Sequence, residues 1–122
     1  MKTILVADDN TANRELLCAI LERQGFRVVG AADGKEALRF AQAERPDLIL
    51  LDIHMPRLDG YGTLEQLRLQ PGLANLPTVA VTASAMAGDE EHALAAGFTA
   101  YLAKPYEIED VVGLVIQLLN RE

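Results

Sequence analysis

The chain has 122 residues, a hydrophobic share of 50%, a formal net charge of -7 and a single cysteine, which fits one domain with a real apolar core and leaves no room for a second. Its Lys and Arg residues are scattered, which opposes direct nucleic-acid binding, while an acidic surface suits cations and basic protein faces. Cys18 by itself excludes an intramolecular disulfide and a cysteine-based zinc site, and neither a signal peptide nor a membrane-crossing stretch is legible, so the cytoplasm is the expected location.

Ile4 to Ala7 is a short apolar run that meets Asp8 and Asp9, as expected of a buried strand ending in a polar loop. Asn10 or Thr11 can cap the helix that follows. That helix runs to about Gln24, buries Leu16, Leu17 and Ile20, leaves Cys18 off the buried face, and closes on Gly25 in a left-handed turn. Arg27 to Ala31 reads as a second strand. Asp33 or Gly34 then opens a helix with Ala37, Leu38 and Ala41 inward, stopped by Pro46. Leu48 to Leu51 has no polar alternation, suits a strand covered on both faces, and ends on Asp52. Pro56 and Asp59-Gly60 force a loop, and Gly60-Tyr61-Gly62 reads as turn geometry.

Thr63 to Gln70 is expected as a short helix, ended by Pro71-Gly72, and Thr78 to Thr82 as the fourth strand. The fourth helix, roughly Ala87 to Ala96, sets Asp89, Glu90 and Glu91 in its first turn, where the helix dipole favours negative charge, and Gly97 closes it. With Leu94 as its one large anchor, it is expected to be the least firmly packed helix and a candidate moving part. Thr99 to Ala103 is the fifth strand, followed by Lys104-Pro105. A last helix from Glu107 or Ile108 to Asn120 turns Ile108, Val111, Val115 and Leu118 inward, with Val112 and Ile116 broadening the stripe. Five strands alternating with five helices predict a doubly wound α/β fold over residues 1–122, with right-handed crossovers. Periodicity does not reveal strand order.

Asp8 and Asp9 follow the first strand, Asp52 closes the third, Thr82 lies at the end of the fourth and Lys104 follows the fifth. In an open α/β sheet, ligands bind beyond the carboxyl ends of the strands, so these residues converge on one lip. Each close carboxylate pair there costs about 4 kcal/mol at about 4 Å and an effective dielectric near 20, so the cluster calls for a cation. Oxygen ligands suit Mg²⁺, while Lys104 and the Thr82 hydroxyl complete a set suited to a transferring phosphoryl group. Taken singly, each acidic residue reads as a solvated cap or turn residue, and Asp33, Asp47, Asp59 and Asp89 are assigned that role. The joint placement of the other residues favours a site.

These residues also carry a family resemblance. V-A-D-D-N at Val6–Asn10, L-L-D-I-H-M-P-R-L-D-G at Leu50–Gly60, V-T-A at Val81–Ala83 and Y-L-A-K-P at Tyr101–Pro105 occur in order and spacing, and together the chain resembles a response-regulator receiver domain, the phosphoacceptor module of two-component signalling. The resemblance implies a flavodoxin-like sheet of order 2-1-3-4-5. It also implies that Asp52 accepts a phosphoryl group from a phosphohistidine on a histidine kinase or histidine phosphotransfer protein. Asp9, Asp52 and the backbone carbonyl of Ile53 would ligate Mg²⁺, with Asp8 acting through water. Lys104 would pair with Asp52 and then with the phosphoryl oxygens, Thr82 would be drawn to the phosphoryl group, and Tyr101 would swing inward behind it. The Lys104-Pro105 bond would be cis, and His54 and Ser84 would tune phosphoryl loss; read without the resemblance, His54 is a solvated loop histidine and Tyr101 an ordinary strand aromatic.

The implied protein is a signalling molecule that catalyses its own phosphorylation and slow dephosphorylation, a monomer or weak dimer. It is either a free regulator or relay protein without an output domain, or the receiver part of a hybrid histidine kinase. Its downstream partner face is expected on the fourth helix, fifth strand and last helix, through Val112 and Ile116. The alternative is a phosphorylation-independent protein-binding module, which the intact Asp8, Asp9, Asp52, Thr82 and Lys104 oppose. A flavin binder is opposed by the acidic first loop, which repels phosphate, and a hydrolase by the lack of a substrate cleft in so short a chain. His92 lacks partner spacing for a histidine metal site, and Met55 and Met86 read as gap-fillers.

Overall fold

The apolar runs of the sequence become the interior of a parallel sheet in the computed structural model, which describes residues 1–55, 57–83 and 88–120. Strands β1 (Thr3–Ala7), β2 (Arg27–Ala31), β3 (Leu48–Asp52), β4 (Thr78–Thr82) and β5 (Ala100–Ala103) alternate with helices α1 (Thr11–Arg23), α2 (Gly34–Glu44), α3 (Gly60–Leu69), α4 (Asp89–Ala96) and α5 (Ile108–Leu119). All neighbouring strands are parallel, in the order β2-β1-β3-β4-β5. Alternating residues of each strand feed opposite cores. Leu5, Ala7, Ile49 and Leu51 pack with Ala37, Ala41, Leu64 and Leu67 of α2 and α3. Ile4, Val6, Leu48 and Leu50 pack with Leu17, Leu21, Val111 and Val115 of α1 and α5. β3 is covered on both faces along its whole length, which is why its sequence carries no polar alternation.

Helix starts follow the expected side-chain chemistry. Asn10 caps α1 by accepting from the Asn13 N–H, and Asp33 caps α2 by accepting from the Glu36 N–H. Glu107 and Asp110 form a reciprocal capping box at α5. Asp47 has a different part: its carboxylate accepts from the Thr3 N–H at 2.8 Å and ties the entrance of β3 to β1. Asp89 opens the first turn of α4, whose cap position is held by Gly88.

Several expectations are corrected at element margins. Leu16, expected inward, is 54% exposed, and Leu21 takes its place beside Leu17 and Ile20. At about 100° per residue, Leu17, Ile20 and Leu21 share an arc of about 100° centred near Leu17, and Leu16 falls outside it on the side away from Leu21. Cys18, expected off the buried face, is half-buried against the α1–α5 core. Ile108 is 56% exposed because it is the first residue of α5, ahead of the turn at which Val111 reaches the sheet. In α4, Ala93 is buried and Leu94 is exposed, so the anchor is a methyl group and the helix sits close to its support.

α3 begins three residues before the expected Thr63, with Asp59 as its cap accepting from the Gly62 N–H. Gly60-Tyr61-Gly62 is helical. Gly60 is there for close approach: a Cβ would stand 2.6 Å from Ile53 Cα and 2.8 Å from the Asp52 carbonyl oxygen. Gly34, at the start of α2, is as tightly placed, with a Cβ falling 2.3 Å from the Leu58 carbonyl oxygen. Met86 and the expected helical residue Ala87 lie outside the described residues, as does Pro56.

Gly34→Ala is therefore expected to lower the unfolding free energy by about 1–3 kcal/mol in urea melts, since backbone cannot yield as a flexible side chain does. Gly113→Ala, in α5 where a Cβ meets nothing within 4 Å, is expected to raise it by about 0.5–1 kcal/mol through helix propensity.

Candidate functional site

Parallel register brings the strand ends together. Ala7 pairs with Leu51, Asp52 with Val81, and Thr82 with Ala103, so Asp8 emerges beside Asp52, and Lys104 beside Thr82. Asp8 is 1% and Asp52 6% exposed, Thr82 is buried, and Asp9 is exposed. One oxygen from each of Asp8, Asp9 and Asp52 lies within 4.8 Å of the others.

Hydrogen bonds fix the buried carboxylates. Asp8 Oδ1 accepts from the Asn10 N–H at 2.9 Å, and Asp8 Oδ2 from Lys104 Nζ at 3.0 Å. Asp52 Oδ1 accepts from the His54 N–H at 3.0 Å, while Asp52 Oδ2 lies 3.6 Å from Lys104 Nζ. Lys104 was expected to pair with Asp52; Asp8 is the nearer partner. The Ile53 carbonyl accepts from the Gly60 N–H at 2.8 Å, and a carbonyl oxygen retains a second lone pair for a further ligand.

Burial raises the pKa of the Asp52 carboxyl above the ordinary aspartate value; the His54 N–H and the Lys104 charge oppose this, and the Asp8 charge adds to it. For Lys104, burial disfavours the ammonium, but the Asp8 hydrogen bond and the Asp52 and Asp8 charges outweigh it and raise the pKa above the usual lysine value. Three carboxylates thus face one persistent ammonium, an oxygen-only donor set with excess negative charge that suits a hard divalent cation.

Tyr101 lies on β5 with its ring partly buried against the core shared with α3 and α4. Its hydroxyl is buried and has no hydrogen-bond partner among the described residues. Burial, and then the Asp89 charge, raise its pKa. The neighbouring Tyr61 ring contacts His92 of α4 at 5.0 Å and Phe98 at 5.6 Å between centroids. The His54 side chain is exposed, and its contact with Asp52 is made by the main chain. The Lys104–Pro105 peptide bond is cis. Ser84 lies outside the described residues.

Sequence reasoning missed a cavity of about 430 Å³ beside Lys104, lined by Asn13, Leu16, Ala83, Pro105 and Tyr106. Leu16, at the outer edge of the α1 apolar stripe, was the available signal. Arg14 was also missed; its guanidinium donates to the Asp8 carbonyl at 2.8 Å.

The sequence model for the response regulator receiver domain matches residues 4–116. The chain is 37% identical over 107 residues to the polar-differentiation response regulator DivK of Brucella anthropi, covering 88% of this chain and 87% of that protein. It is 38% identical over 120 residues to the probable transcriptional regulator ycf27 of Cyanophora paradoxa; the match covers 98% of this chain but 49% of the relative, so the chain spans about half of that protein's length. Among solved structures, the receiver domain of the sensor histidine kinase PA1611 of Pseudomonas aeruginosa aligns with a TM-score of 0.89 at 37% identity over 97% of each chain. That structure is described with a magnesium ion coordinated in the active site cleft.

The raised Asp52 pKa has a defined consequence for stability. Between the ordinary aspartate pKa and the raised folded value, the folded state holds a proton that the unfolded state has lost, so stability falls as pH rises through that window. Asp52→Asn is expected to be more stable than the parent chain at pH 7 in metal-free buffer, with the advantage vanishing below the ordinary aspartate pKa. Urea melts of both chains across that range measure it.

Proposed function

Because the chain belongs to the response regulator receiver domain family, we propose that it is a phosphorylation switch of two-component signalling in which Asp52 is the phosphoacceptor. The observation that carries this is the placement of Lys104 Nζ beside both Asp8 and Asp52, at 3.0 and 3.6 Å. A carboxylate oxygen of Asp52 forms a bond to phosphorus as the bond from phosphorus to the imidazole nitrogen of a donor phosphohistidine breaks, and the departing imidazole takes its proton from water. Lys104 shifts from the carboxylates to the phosphoryl oxygens, and the Thr82 hydroxyl donates to one of them. Catalysis of this kind is mainly positioning and neutralisation of oxygen charge.

Asp9, Asp52 and the Ile53 carbonyl would hold Mg²⁺, with Asp8 acting through water; the oxygen-only cluster within 4.8 Å supports this assignment. When bound, Mg²⁺ would neutralise charge on the transferring phosphoryl oxygens. The product is an acyl phosphate, which water hydrolyses, so the mark is temporary. The exposed His54 imidazole and Ser84 are assigned to tuning that loss.

Signalling follows as a population shift: contacts to the phosphoryl group draw Thr82 inward, Tyr101 turns behind it, and α4 moves. The Tyr101 hydroxyl, buried and without a hydrogen-bond partner among the described residues, supports such a transition because a buried hydroxyl ordinarily has one. The face formed by α4, β5 and α5, with Ile116 exposed, is assigned to the downstream partner. The phosphodonor, a histidine kinase or phosphotransfer protein, is assigned to the cavity beside Lys104, where exposed Leu16 offers an apolar contact. Residues 1–122 are read as one receiver domain, working either as a free regulator or as part of a kinase. The matches to a response regulator and to a sensor kinase receiver are compatible with both.

Incubation with acetyl phosphate should add one phosphoryl group, read by intact mass, only when both Mg²⁺ and Asp52 are present. Addition to Asp52→Asn, or equal addition without Mg²⁺, would refute the assignment. Leu16→Asp is expected to slow transfer from a phosphohistidine protein donor by about tenfold or more, equivalent to about 1.4 kcal/mol, while phosphorylation by acetyl phosphate is unchanged.

A further inference from the structure

We infer that Arg14 is a positioning residue that sets the orientation of the peptide joining Asp8 to Asp9, and through it the affinity of the acidic cluster for a divalent cation. The inference rests on the Mg²⁺ reading above. Its basis is the bonding of Asp8. The Asp8 N–H donates to the Ala31 carbonyl at 3.0 Å, Oδ1 accepts from Asn10, and Oδ2 accepts from Lys104. The carbonyl oxygen accepts from Arg14 NH1 at 2.8 Å. That carbonyl belongs to the same planar unit as the Asp9 N–H, so rotating it turns the exposed Asp9 carboxylate relative to the buried Asp8 and Asp52.

The approach of Arg14 is built into the neighbouring strand. A Cβ at Gly30 would stand 3.3 Å from Arg14 Cδ and 3.5 Å from Cγ, so the side-chain stem lies directly across a glycine of β2. Gly30 pairs with Val6, and Ala31, the next residue, receives the Asp8 N–H. β2 therefore holds the Asp8 N–H directly and, by omitting a side chain, admits the donor for the Asp8 carbonyl. The arrangement runs against local preference, because a cation near the start of α1 opposes the helix dipole. A tertiary hydrogen bond from a charged donor is what offsets that conflict. The rival account, a stem that merely packs α1 onto β2, needs neither the guanidinium nor its aim at Asp8.

The test is a Mg²⁺ titration of the ¹⁵N-labelled chain followed by amide NMR, which reports affinity at Asp8 to Asn10 and His54 and folding everywhere else in the same spectra. Arg14→Met keeps an apolar stem over Gly30 and removes the donor; it is expected to weaken Mg²⁺ binding about tenfold or more, the usual scale for groups that orient metal ligands. Arg14→Lys keeps a charged donor and should recover most of the affinity. Gly30→Val leaves Arg14 in the sequence, displaces its stem, should also weaken binding, and should add nothing further in the Arg14→Met background. Wild-type affinity in Arg14→Met, or equal loss in Arg14→Lys and Arg14→Met, overturns the inference. If Arg14→Met does not fold, Gly30→Val decides, and unchanged affinity there overturns it. A parent chain that binds no Mg²⁺ removes the metal reading itself, a result distinct from any difference among variants.

Discussion

Gathering Asp8, Asp9 and Asp52 so that an oxygen of each lies within 4.8 Å of the others sets like charges against one another at the edge of the sheet, and the surrounding fold has to offset that repulsion. At an effective dielectric near 20, each pair at about 4 Å costs about 4 kcal/mol. Lys104 supplies one compensating charge, and backbone N–H groups of Asn10 and His54 supply oriented dipoles. Compensation remains partial. Burial and the Asp8 charge leave Asp52 with a raised pKa despite a lysine beside it, which is the condition of a site with capacity for more positive charge.

The parallel sheet makes this cluster possible because every crossover returns the chain to the same edge. Close packing then makes it rigid. Gly60 brings the start of α3 against the Asp52–Ile53 backbone, and Gly34 brings α2 against the loop after β3. Both contacts stiffen the loop that offers the Ile53 carbonyl. On the other side of the cluster, the Asp8 backbone is held by Ala31 and Arg14. The lip is thus built from main chain gripped at its carbonyls and N–H groups, with few long side chains free to rearrange.

α4 stands in contrast to that rigid edge. It is short, it buries Ala93 alone among its residues, its His92 meets Tyr61 and Tyr61 meets Phe98 through ring contacts, and the Tyr101 hydroxyl has no hydrogen-bond partner among the described residues. Ring contacts of this kind carry modest energies, about 0.5–1.5 kcal/mol beyond area burial. Under the proposed switch, a stiff reaction site abuts a lightly held helix, so that a small displacement at Thr82 has somewhere to go.

The elements and the members of the site were legible in the sequence for a physical reason: an unbroken apolar run that ends on Asp8 or Asp52 marks both a buried strand and its polar exit, and parallel strands share one exit edge. Strand order was not legible in periodicity; the family resemblance supplied 2-1-3-4-5, and the sheet has that order. Periodicity placed Leu17, Ala37, Val111 and Val115 inside, yet it turned Leu16, Leu94 and Ile108 the wrong way, because a stripe fixes direction to within one residue and the covering neighbour decides its margin. Gly60 and Gly62 carry the residue type of a turn but serve close helix packing, a role that exists only once Ile53 and Leu58 lie opposite. Tertiary structure alone decided that Lys104 rests nearer Asp8 than Asp52 and that Arg14 reaches the Asp8 carbonyl. Local sequence specifies what a side chain is able to bond; the approach of segments distant in the chain selects which bond is made.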